Sequence, residues 1–182
     1  MKLIVGLGNW QKKYLKNRHN AGFMMVDIYC KINELVLDKK EFDGQFTKKD
    51  DFVIAQPLTN MNLSGSFVKK ICNFYKIDVE DILVIYDDVS FEVGNIKLKL
   101  GGNSGGQNGI NDIIEQLGTT QIKRVKIGIG KNDKNMLLGD YVLTDFSNEE
   151  MKRIEEAGVK VEKIIKEFIG NTPFEKIMSK WN

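Results

Sequence analysis

The sequence predicts an α/β protein: a single domain, residues 1–182, with a twisted mixed β-sheet surrounded by helices. Short apolar runs alternate with segments whose apolar residues recur every three or four positions, the signature of strands interleaved with helices. The run "ILVIYDD", residues 82–88, is continuously apolar until it ends in acids, as a central strand buried on both faces is. With 182 residues, 42% hydrophobic and only 2 prolines, the chain can bury one core and is short for two. It contains no internal repeat, low-complexity tract or domain linker.

The elements follow in order. Residues 2–8 are a short apolar strand stopped by Gly6 and Gly8. From Asn20, the spacing of Met24, Ile28, Ile32 and Leu35 predicts a helix. "FDGQFTKK" and "DFVIAQP" are two strands of a hairpin, the second closed by Pro57. After the loop "LTNMN", Phe67, Ile71 and Phe74 mark one face of a helix, and "ILVIYDD" follows as the central strand. "NIKLKL" alternates as a half-exposed strand and runs into the glycine-rich "GGNSGGQNG", then the helix "INDIIEQL" and the strand "KRVKIGIG". Ser147 and Glu150 predict a capping box opening a helix to about Gly170. Thr172-Pro173-Phe174-Glu175 predicts a second box with proline at the first helical position. Ile177 and Trp181 are the expected docking residues of that last helix.

Composition removes several function classes. A net charge of +2 and a pI near 8.4 describe no polycation, so contact with nucleic acid requires a local basic patch. Cys30 and Cys72 lack CxxC spacing and fall on amphipathic helices, as buried reduced thiols do. One histidine and no cysteine cluster argue against a zinc site, and no metal is expected. No apolar run suits a signal peptide or a membrane span, so a cytoplasmic location with no membrane partner is expected.

In open α/β sheets, ligands gather outside the carboxyl ends of the strands. Three polar segments should reach that edge: Asn9 to His19, Asp87-Asp88, and Thr59 to Asn62. His19, the only histidine, is read either as a residue at a helix start or as the one group able to pass protons near neutral pH. Asp87 is the candidate acid that would orient it. Asp87-Asp88 also reads as a solvated turn or a magnesium pair. No serine or cysteine occupies a nucleophile elbow, which favours water as nucleophile. "GLGNWQ" carries two glycines of a dinucleotide fingerprint but Gln11 in the third place, and "GGNSGGQNG" lacks a P-loop ending. Asn9, Asn62 and Asn108 offer amide donors and acceptors to an uncharged peptide or an oxyanion, or else serve turns and caps. Lys97, Lys99, Arg124, Lys126, Lys131 and Lys134 form a phosphate-binding patch if they share a face, and a solvated surface otherwise.

Taken together, "KLIVGLGN", the tyrosine and "RHNAG" of "YLKNRHNAG", "MNLSG", "ILVIYDDV", "KLKLGG" with "GGQNG", and "RVKIGIG" resemble the bacterial peptidyl-tRNA hydrolases over essentially the whole chain. The resemblance implies hydrolysis of the ester joining a peptide to the terminal ribose of tRNA, recycling peptidyl-tRNAs released prematurely from ribosomes. It implies no cofactor. His19 would activate water, Asp87 would support it, and Asn9 would help distinguish blocked from free aminoacyl-tRNA. Tyr14, Asn60, Asn62 and Asn108 would contact the tRNA end or peptide. Lys97, Lys99, Arg124 and Lys126 would form the tRNA-facing surface, and residues 131–142 a mobile lid. Implied partners are peptidyl-tRNA and the stalled large ribosomal subunit, and a monomer is expected.

The chain departs from the family pattern at Trp10-Gln11 in place of Pro-Gly, Asn60 in place of an aromatic, Ser104 and Gln107 where histidines are common, and Tyr86 where histidine often precedes the acid. None is expected to touch His19, Asp87, Asn62 or Asn108, so altered affinity is expected rather than lost chemistry. Two competing readings are a non-catalytic RNA-binding protein on the same fold and a nucleotide-binding enzyme.

Overall fold

In the computed structural model, which describes all residues from Met1 to Asn182, seven strands form one sheet. They are β1 (Lys2–Gly6), β2 (Lys39–Glu41), β3 (Gly44–Lys48), β4 (Phe52–Pro57), β5 (Ile82–Asp88), β6 (Ile96–Leu100) and β7 (Lys123–Gly128). Their order is β2-β3-β4-β1-β5-β7-β6. The inner four, β4, β1, β5 and β7, are parallel, while β2, β3 and β6 add antiparallel strands at the two edges. Six helices cover the sheet: α1 (Ala21–Ile32), α2 (Ser64–Tyr75), α3 (Asn108–Leu117), α4 (Leu138–Val142), α5 (Asn148–Ile169) and α6 (Phe174–Trp181). The expected mixed sheet surrounded by helices is therefore the observed architecture.

Strand alternation divides the core in two. Ile4, Ile54, Leu83, Ile85, Val125 and Ile127 face α1, α5 and α6. Leu3, Val5, Val53, Val84 and Tyr86 face α2 and α3. Ile82 through Tyr86 are each exposed by 1% or less, so β5 is a strand buried on both faces, as its unbroken apolar run requires. Cys30 and Cys72 are buried and free, and burial first of all pushes their thiols up to about 11 and about 12. No helix is long and apolar enough to cross a membrane.

Several local expectations change. The Ser147 box forms in full: its Oγ accepts from the Glu150 N–H at 3.1 Å, and Glu150 Oε2 accepts from the Ser147 N–H at 2.8 Å. The second box does not form. Helix α6 begins at Phe174, which puts Pro173 at the cap rather than the first helical position and Thr172 one residue too early, and no side chain caps the helix. Ile177 is nevertheless fully buried and Trp181, partly buried, packs against the same core. Helix α1 stops at Ile32, leaving Leu35 beyond it. Of the helix face marked by Phe67, Ile71 and Phe74, the first two are fully buried, whereas Phe74 is 61% exposed and rests on Phe42 and Tyr75. Strands and helices that lack a pattern of their own were not foreseen: β2 is the charged, exposed triplet Lys39–Glu41, held by its pairing with β3, and α4 has one buried residue, Tyr141.

Candidate active site

Because β4, β1, β5 and β7 are parallel, the segments after them emerge at one edge of the sheet. Helix α1 starts there, pressed against the ends of β1 and β5. A Cβ on Gly22 would lie 2.3 Å from the Ile85 carbonyl oxygen and 2.5 Å from Leu7 backbone atoms, so only glycine allows this approach. On the other face, a Cβ on Gly65 would lie 2.4 Å from the Asp112 carbonyl oxygen where α2 meets α3. The glycines of "RHNAG" and "MNLSG" are thus close-packing residues. Gly22→Ala is expected to cost about 1–3 kcal/mol by overpacking and, by pushing back the segment that carries His19, to lower turnover. Thermal unfolding and steady-state rates check both effects.

The close approach brings His19 against β5. His19 Nδ1 lies 2.8 Å from Asp87 Oδ2, with side-chain exposures of 13% and 3%. A carboxylate only accepts hydrogen bonds, so Nδ1 carries the proton and Nε2 retains its lone pair when the ring is neutral. Burial pulls the histidine pKa down, but the charge of Asp87 and the hydrogen bond to it outweigh burial and leave it above 6.5.

Asn9 is held from the same segment. The buried Asn20 side chain accepts from the Asn9 N–H at 2.6 Å and donates to the Asn9 carbonyl at 3.0 Å. Asn9 Oδ1 accepts from the Gln11 N–H at 3.2 Å. The bulky Trp10 is half exposed, and these bonds fix Asn9 without the rigidity of a proline. Sequence reasoning missed Asn20, although its place beside His19 in the motif was the available signal. It also missed the buried Arg18, whose guanidinium bonds Ile129 O at 2.9 Å and both Glu150 oxygens at 3.1 Å, tying the His19 segment to α5 and to the end of β7.

A cleft enclosing about 240 Å³ is lined by His19, Tyr86, Asp87, Asp88, Lys126, Leu138, Gly139, Val142 and the loop Ser104–Asn108. Four expected site residues, His19, Asp87, Asn108 and Lys126, therefore share one cavity. Asn9, Tyr14, Asn60 and Asn62 stand outside its lining. Asn60 and Asn62 are exposed at the turn before α2, and Tyr14 is partly exposed with the Lys13 ammonium 4.7 Å from its ring.

The basic surface needs correction. Lys97 pairs opposite Lys126 and Lys99 opposite Arg124, so all four point to one sheet face. Arg124, however, is fully buried beneath the glycine loop, donating to the carbonyls of Gly102, of Asn103 at 2.8 Å and of Thr120 at 3.2 Å. It supports the loop and cannot face a tRNA. Lys126 is ion-paired with Asp88 at 2.5 Å, whereas Lys97 and Lys99 are exposed. The two acids after the apolar run thus diverge, Asp87 to His19 and Asp88 to Lys126 and the Ser90 N–H, which leaves no shared magnesium position.

A second correction concerns Gln107. Its Nε2 donates to Asp87 Oδ1 at 3.0 Å, so one departure from the family pattern does touch the acid.

Fold and site together define an α/β protein with a buried histidine–carboxylate pair at the carboxyl edge of a parallel sheet. The family model described as peptidyl-tRNA hydrolase matches residues 3–182. The peptidyl-tRNA hydrolase of Malacoplasma penetrans is 47% identical over 184 residues, covering 99% of this chain and 97% of that protein. That of Staphylococcus aureus (strain JH9) is 40% identical, covering 100% and 98%. The crystal structure of peptidyl-tRNA hydrolase from Acinetobacter baumannii superposes with a TM-score of 0.90 at 30% identity, covering 100% of this chain and 94% of that one. This chain belongs to the peptidyl-tRNA hydrolase family.

Proposed function

We propose that this chain hydrolyses the ester between a peptide and the terminal ribose of tRNA, with His19 as the general base. The observation that carries the assignment is the 2.8 Å contact of His19 Nδ1 with Asp87, which leaves Nε2 as the proton acceptor. Nε2 takes a proton from water as the water oxygen bonds to the ester carbonyl carbon. The ring, now an imidazolium paired with Asp87, returns that proton to the ribose oxygen as the C–O bond breaks, giving a peptide acid and a free tRNA hydroxyl. Asn9, fixed through its backbone and Oδ1, presents its free Nδ2 donors to the ester carbonyl oxygen or to the acyl carbonyl that blocks the amino group. Asn108, Asn60, Asn62 and Tyr14 contact the peptide or the tRNA end from neighbouring turns.

Lys97 and Lys99, with Lys126 once Asp88 releases it, meet the phosphates. Like charges directly opposite each other on adjacent strands repel, and an anion relieves that repulsion. Lys99→Ala is expected to weaken tRNA binding and to reduce the slope of log affinity against log salt by about 1. A salt titration of tRNA binding reads that slope. The substrate reaches the enzyme in the cytoplasm after release from stalled ribosomes, and the protein acts as a monomer. Release of label from an N-blocked aminoacyl-tRNA, compared with the unblocked form, tests the function. Cleavage of the blocked form alone is expected. Tight RNA binding without cleavage of either form would replace the enzyme with an RNA-binding protein.

A further inference from the structure

We infer that Gln107 is a positioning residue for the catalytic acid, locking the Asp87 carboxylate so that its other oxygen meets His19. This rests on the His19–Asp87 reading above and extends it to the glycine loop.

The orientation of the Gln107 amide is not arbitrary. Its Oε1 accepts the Ile110 N–H at 2.7 Å, an unpaired donor in the first turn of α3. With the oxygen committed to the helix, the nitrogen must be the atom turned toward Asp87, and it lies 3.0 Å from Oδ1. Nε2 also lies 3.4 Å from the buried Met61 sulfur, which closes the far side of the amide. Asp87 therefore has each oxygen engaged by a different donor, Oδ1 by Gln107 and Oδ2 by His19. A carboxylate tied at one oxygen only can swing about its last bond. Tied at both, it holds the imidazole in one tautomer and one orientation. Gln107 is also the residue before Asn108, so the loop that forms the cleft wall and the base that activates water are joined through one side chain.

Gln107→Ser separates this role from helix capping. Serine is among the preferred cap residues, so α3 stays capped and thermal stability is retained, but its hydroxyl ends two bonds short of the amide nitrogen. The expected result is a fall in kcat of about tenfold for N-blocked aminoacyl-tRNA with KM unchanged. In an Asp87→Asn background, where the oriented acid is already gone, the same substitution should cause no further fall in kcat, and a rise if the asparagine at 87, released from Gln107, turns its oxygen toward His19. Unchanged kcat in Gln107→Ser, or an equal fall in both backgrounds, would overturn the inference. If Asp87→Asn itself left kcat unchanged, the fault would lie with the His19–Asp87 reading and not with Gln107 alone.

Discussion

His19→Ala is expected to lower kcat for N-blocked aminoacyl-tRNA by about 10²- to 10⁴-fold, the usual contribution of a positioned general base, while tRNA affinity stays nearly unchanged. The chain has no second histidine to take over the proton. The exposed lysines of β6, Lys97 and Lys99, are untouched by the substitution. Removing a ring that is 13% exposed leaves a small, partly open gap rather than a sealed cavity, so the fold should persist. Single-turnover release of labelled peptide, with tRNA binding measured in parallel, separates the two effects. Retained turnover in this variant would move the chemistry away from His19.

Asp87→Asn should lower kcat on the order of 10²-fold or more and shift the pH dependence. An asparagine at 87 that keeps accepting from Gln107 turns its amide nitrogen toward His19 and favours the tautomer with the proton on Nε2, the wrong atom for a base. The pH effect has a definite sign. In the wild type the attraction of Asp87 overcomes burial and holds the His19 pKa above 6.5. A base works only when deprotonated, so kcat/KM should rise with pH and reach half its plateau above 6.5. Without the carboxylate only burial remains, and the midpoint should drop below 6.5. The same raised pKa links His19 to stability: its contribution is complete below about 6.5, the unfolded value, and is lost as pH rises through the folded one. A pH series of kcat/KM for both proteins checks the kinetic shift, and an unmoved midpoint would assign the acid's role to another group.

Where the chemistry of a residue type coincides with a local pattern, the sequence was a good guide. The unbroken apolar run of β5 could only be a central strand, and the acids at its end had to emerge at the carboxyl edge. Asp87 was legible for that reason, and His19 and Asn108 because each stands at the start of a helix whose period was clear. Arg124 was misread because strand alternation tells which face a side chain takes but not what lies over that face. The glycine loop covers it. Gln107 was missed for the complementary reason. Its partners, Asp87 and the Ile110 N–H, are brought together only when the loop folds back over β5, and no spacing in the chain records that distance. The Thr172 box failed by a one-residue shift in where α6 begins, a choice made by the burial of Phe174 and Ile177 rather than by local motif.

His19 is the only histidine, so its ring signals in a nitrogen-15 NMR titration are unambiguous and report both its pKa and the atom that carries the proton. The central claim is that Asp87 holds this ring ready to accept a proton at Nε2. It predicts a midpoint above 6.5 and, in the neutral form, a proton on Nδ1. A midpoint below 6.5, or a neutral ring protonated on Nε2, would contradict it.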